Sequence, residues 1–113
     1  MNHPINQPLL HQYRRQPRPA NGNTLLICVG FDGVIRSVEG PLIHLLGYIP
    51  ENFLGKSLRD MIPQKDRVNY DSLFDQCVDR NEFGIYRTDG STMYADTFIT
   101  MFLTMRIFTS VIA

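Results

Sequence analysis

Hydrophobic and polar positions change period in a fixed order along this chain. Thr24 to Gly30 is a compact apolar run that reads as a buried strand. Asp32-Gly33 follows as a turn pair. Val34 to Glu39 then continues as a second strand, with Val34, Arg36 and Val38 alternating against Ile35 and Ser37. Gly40-Pro41 opens a short helix that carries Leu42, Leu45 and Leu46 on one face. Gly47 ends it, Pro50 opens the next, and Gly55 closes that one. Leu58, Met61 and Ile62 make a further apolar turn before Pro63. The longest helix is predicted from Asp66 to Arg80. Tyr70, Leu73, Phe74, Cys77 and Val78 fall on one helical stripe, and Asp71, Asp75 and Asp79 line the opposite side. Phe83 to Thr88 reads as a strand and Asp89-Gly90 as a second tight turn. A long strand, Ser91 to Thr104, and a last one, Arg106 to Ala113, complete the order. The predicted fold is α+β: a five-stranded antiparallel sheet with short helices and one longer helix packed on one face.

The long strand has large side chains on both faces. Met93, Ala95, Thr97, Ile99, Met101 and Leu103 share one, and Tyr94, Asp96, Phe98, Thr100, Phe102 and Thr104 share the other. In the last strand Ile107, Thr109 and Val111 oppose Phe108, Ser110 and Ile112. One sheet face must pack on the helices. Tyr94, Phe98, Phe102, Phe108 and Ile112 are expected on the other, as an exposed patch that marks a protein interface. The alternative is that residues 5–13 of the same chain cover that patch.

Length allows one domain, with 113 residues and 43% hydrophobic content. Residues 1–23 are rich in Pro, Gln, Asn and Arg and are expected to be a disordered leader, leaving 24–113 as the folded domain. No apolar run is long enough to span a bilayer, and Met1-Asn2-His3-Pro4 does not begin a secretory signal. An intracellular protein, nuclear or cytoplasmic, is expected. Net charge is zero, but Arg14, Arg15 and Arg18 sit in the leader, so the domain is mildly acidic. That balance argues against nucleic acid as the main partner. Cys28 and Cys77 each sit in an apolar pattern without metal spacing and read as reduced, buried thiols. Ser57, Ser72, Ser91 and Ser110 lack nucleophile-elbow surroundings, no phosphate-cradling glycine loop follows a strand, and the three aspartates read as a solvated stripe. Catalysis is not expected.

Four stretches, in order, resemble a PAS domain across about residues 24–113. They are Phe31-Asp32-Gly33-Val34-Ile35, then Leu45-Leu46-Gly47-Tyr48, then Gly55 to Pro63 with Lys65-Asp66-Arg67, and finally Arg87-Thr88-Asp89-Gly90-Ser91. The Gly-Lys-Ser-Leu-Arg-Asp run is similar to PAS repeats of animal transcriptional regulators, including the Period clock proteins. Bacterial sensor kinases share nearly the same pattern. The resemblance implies a sensor and interaction module that dimerises, with itself or with another PAS-domain protein, in signal transduction or transcriptional regulation. The other implied role is a small-molecule-binding sensory domain of a bacterial-type protein such as a histidine kinase. An apolar cavity would then be lined by Cys28, Leu46, Tyr48, Met61, Leu73, Phe74, Cys77, Ile99 and Met101, and would take a small apolar ligand. The competing reading of those residues is a filled core. No cofactor is expected: the flavin-reactive thiol is missing near Asn52-Phe53-Leu54, the longest helix has no haem-ligating His, and His44 reads as a surface residue.

Overall fold

A computed structural model describes residues 22–102 and 105–112 of the chain, the Phe102 side chain excepted. Two strands come first, β1 (Thr24–Gly30) and β2 (Ile35–Glu39). Two short helices follow, α1 (Leu42–Leu46) and α2 (Pro50–Phe53), then 3₁₀ turns at Arg59–Met61 and Gln64–Asp66. Helix α3 (Arg67–Phe74) leads into β3 (Arg80–Tyr86), β4 (Thr92–Phe102) and β5 (Met105–Ile112). The strands form one antiparallel sheet in the order β2-β1-β5-β4-β3. The first and last parts of the domain therefore meet at its centre, where β1 pairs with β5. The expected α+β architecture is present. The expected leader falls on residues 1–21, which lie outside the described residues, with its last two positions at Gly22 and Asn23.

The turns form as their chemistry requires. Gly33 (φ 81°) and Gly90 (φ 90°) take the left-handed positions of the two Asp-Gly turns. Asp32 accepts the Val34 N–H at 3.0 Å, and Asp89 accepts the Ser91 N–H at 2.9 Å and its hydroxyl at 2.6 Å. The hydroxyl bond holds the Asp89 carboxyl below its ordinary pKa.

All the described helices lie on one sheet face. Leu42, Leu46, Phe53, Leu58, Ile62, Tyr70 and Leu73 pack there against Leu25, Ile27, Val29, Phe83, Ile85, Met93, Ala95 and Phe108. Burying a large apolar side chain stabilises by roughly 1.5–3 kcal/mol, so this cluster is the main source of stability.

Helix α3 is shorter than its apolar stripe. It stops after Phe74, and Gln76 takes φ 61°. The Cys77 N–H reaches back to the Ser72 carbonyl at 2.8 Å and the Gln76 N–H to that of Leu73 at 2.9 Å. That is a Schellman ending, normally built on glycine. Tyr70, Leu73 and Phe74 join the core, while Cys77 and Val78 project beyond the helix and are exposed. A left-handed backbone costs a side-chain-bearing residue about 1 kcal/mol. Gln76→Gly should therefore raise stability by about 0.5–1 kcal/mol in urea unfolding, despite losing the Gln76 contact to the Met101 sulfur.

The second departure concerns β5. Phe102 lies opposite Met105 and Phe98 opposite Thr109, so even-numbered β4 residues share a face with odd-numbered β5 residues. Phe108 and Ile112 are thus on the helix side: Phe108 is fully buried against Tyr70 and Ile112 packs on the main core. Their expected place in the exposed patch is corrected. A two-residue connection sets the parity, and one residue more or less would have turned every β5 side chain over.

Candidate functional site

The outer sheet face, opposite the described helices, carries Tyr94 and Phe98 from β4. Tyr94 is exposed and Phe98 half-buried. Each ring is topped by a cation. Lys65 Nζ sits 5.3 Å from the Tyr94 ring centre and donates to its hydroxyl at 3.0 Å. The hydroxyl in turn raises the Lys65 pKa. Arg80 stacks 4.9 Å above Phe98 while its fork grips Asp96 at 3.0 and 2.6 Å. The Tyr94 ring lies across Gly84 of β3, where a β-carbon would sit 3.0 Å from it and collide with Thr92. Gly84 is what allows the tyrosine to reach Lys65 around the sheet edge.

Beside these aromatics runs an apolar strip of Leu26, Cys28 and Ile107, with Met105 packed on it. Cys28 therefore belongs to the outer face, not to the inner cavity lining expected of it. In β1 it alternates with the inward Leu25, Ile27 and Val29. Burial pushes its thiol pKa up, which keeps it unreactive. The expected patch member Phe102 has a side chain outside the described residues, as do residues 5–13, the expected alternative cover. Sequence reasoning missed Leu26, Ile107 and Met105. Their face follows from the β4–β5 register, which periodicity alone does not supply.

On the inner face, Leu46 and Leu73 are fully buried in the core, and Tyr48, Met61, Phe74 and Ile99 pack against it. Tyr48 meets Phe53 at 5.4 Å between ring centres, and burial raises its phenol pKa. Cys77 and Met101 are exposed, and with Ile99 they line an open cleft of about 370 Å³ beyond the end of α3. The expected lining set is thus divided among the core, this cleft and the opposite face.

Among the described residues, two buried side-chain polar atoms at the inner face have no partner. The Tyr70 hydroxyl and Arg106 Nη1 are both buried and accept or donate no hydrogen bond. Such a group costs about 1–3 kcal/mol. Arg106 is nonetheless held firmly. Its Nε donates to the Phe74 carbonyl at 2.7 Å, and its guanidinium lies between the Phe74 ring at 4.3 Å and the Phe31 ring at 4.6 Å. No signal singles these two residues out in the sequence beyond an arginine in phase with Phe108, Ser110 and Ile112.

Among the described residues no group of three or more His, Cys, Asp or Glu is placed to hold a metal ion. No helix among them is long and apolar enough to cross a membrane. The expected solvated aspartate stripe is partly engaged: Arg59 grips Asp71 at 2.8 and 3.0 Å.

No family profile matches the chain. No curated protein sequence matches it either. Among solved structures it is similar to the chromophore-binding domain of an unusual bacteriophytochrome from R. palustris. The TM-score is 0.69, with 15% identity over 86% of this chain and 34% of that one. This chain therefore spans about a third of that protein's length. At that identity the likeness is one of fold, and the fold is PAS-like. It lends no support to a place within the animal transcription-regulator group.

Proposed function

We propose that this domain is a PAS-type sensory and interaction module that works by association, not catalysis, pairing with a second copy or with another PAS-domain protein. The observation that supports it is the outer face. Tyr94, exposed, and Phe98, half-buried, stand there on the side the described helices leave free, next to a Leu26–Cys28–Ile107 strip that is itself buried. Accessible aromatics on an open sheet face are the kind of anchor that interfaces use. Arg80 and Lys65 supply the cationic rim that would set orientation.

Replacing both Tyr94 and Phe98 by Ala tests this. Because neither belongs to the main core, the variant should keep the wild-type unfolding midpoint within about 1 kcal/mol of stability. Sedimentation equilibrium should show pairing weakened about tenfold or more, since buried aromatics concentrate interface energy. A wild-type chain that stays monomeric with every PAS partner offered, or a double variant that pairs as well as wild type, would refute the reading.

A further inference from the structure

Four strand residues on the outer face are almost shut off from water. Leu26, Cys28, Ile107 and Thr109 are 5%, 1%, 2% and 0% exposed within a single chain. Register puts them side by side: Leu26 pairs with Thr109 and Cys28 with Ile107. Residues on a sheet face open to water keep much of their surface. Tyr94, on the same face, keeps 41%. Yet every described helix packs on the other side, and the strip is joined only by Met105, itself a strand residue. Burial this complete needs a cover, and no helix or turn among the described residues supplies one.

We infer that the cover is the chain's own residues 5–13, seated on the strip through Ile5, Leu9, Leu10 and Tyr13 as an intramolecular strap. Such a strap does not depend on outer-face pairing, because Tyr94 and Phe98 stay accessible beside it.

Four observations select this occupant over a second copy or another protein. The burial exists in one chain, so the cover needs no partner. The described chain starts beside the strip. The Asn23 carbonyl accepts the Ile112 N–H at 2.9 Å, and the Asn23 side-chain amide donates to the Ile112 carbonyl at 3.1 Å, which pins this end of the chain to β5. From Tyr13 to Asn23 the chain can extend about 33 Å, while Leu26 and Cys28 lie only about 10–17 Å along β1 from Asn23. Composition agrees: Ile5, Leu9, Leu10 and Tyr13 precede a polar, proline-containing stretch from Arg14 to Asn21 that serves as a tether. Charge agrees too. Glu39, the cross-strand partner of Leu26, brings a carboxylate to the edge of the strip, where its charge reaches Cys28. Residues 1–21 carry Arg14, Arg15 and Arg18 and no acid. The β4–β5 connection at 103–104 adjoins Met105, about 13 Å along the strand from Thr109, too far for two residues to cover it.

The Cys28 thiol reports the strap directly. In the full chain carrying Cys77→Ser, which removes the exposed thiol, an aromatic disulfide reagent should modify Cys28 slowly, at a rate independent of protein concentration. Adding Leu9→Asn and Leu10→Asn should speed the modification about tenfold or more while circular dichroism keeps the folded spectrum. Methyl NMR of the unaltered chain gives a readout that needs no variant. Overhauser contacts from Leu9 and Leu10 to Leu26 and Ile107 are expected, and only within one chain when labelled and unlabelled protein are mixed. Contacts between labelled and unlabelled chains, or Cys28 protection that grows with concentration, would give the strip to a second copy and overturn the strap. Absence of those contacts, or a folded Leu9/Leu10 variant whose thiol reacts no faster, would overturn it as well. Tyr94→Ala with Phe98→Ala should pair more weakly yet keep Cys28 protected, so a failure of pairing and a failure of the strap are read apart.

Discussion

Phe53→Ala is expected to remove about 3–5 kcal/mol of stability. Phe53 is fully buried and is the only buried residue of helix α2, which has just four residues. A helix that short has no stability of its own; nucleation costs more than one turn of hydrogen bonds returns. Its place is set by Phe53 lying in the core beside Tyr48. The Ile35 N–H and carbonyl are bonded to the chain just after α2, at Lys56 and Gly55, each at 2.9 Å. Truncating the ring leaves a cavity and loosens that clasp on β2 together. A domain of this size holds only about 5–15 kcal/mol in all, so a fall in melting temperature of roughly 15 °C or more should follow. Calorimetry checks it, and a shift of only a few degrees would show that α2 is not anchored by this residue.

Gly40→Ala should cost about 3 kcal/mol or more. Gly40 has φ 113°, outside the range side-chain-bearing residues adopt without strain. A β-carbon there would also run into the Thr24 backbone carbonyl and lie 3.2 Å from a Leu25 methyl. The carbonyl cannot swing aside without disturbing β1, whose partner β5 is the central strand. Gly90→Ala is the matched control. Gly90 has φ 90°, yet a β-carbon there meets nothing within 4 Å. It should cost only the backbone strain, about 1–2 kcal/mol. Urea unfolding of the two variants separates conformational strain from collision, and equal losses would remove the collision from the explanation.

Much of the architecture is legible in the sequence because it rests on local chemistry. The Asp-Gly pairs at 32–33 and 89–90, the left-handed Gly47 after Leu46, and Pro50 at the start of α2 are read within a few residues. What escaped is non-local. The stripe through Cys77 and Val78 continues the helical period, but the chain turns at Gln76 because β3 must begin at Arg80. A non-glycine at the left-handed position hides that ending. Phe108 and Ile107 are equally apolar, and only the Phe102–Met105 pairing decides which one meets Tyr70. The same parity places Arg106 inward, so neither its buried Nη1 nor the Tyr70 hydroxyl has a sequence signature. Cys28 shows the converse case: a run apolar on both faces conceals which side each residue serves.

The measurement closest to the core of this account is a dilution series followed by aromatic and methyl NMR. The sheet is held to present Tyr94 and Phe98 to a partner while Tyr70, Phe108 and Ile112 stay packed within. Raising the concentration should shift and broaden the first two signals and leave the other three in place. Movement of Phe108 and Ile112 with concentration, or indifference of Tyr94 and Phe98 to a demonstrated partner, would contradict it.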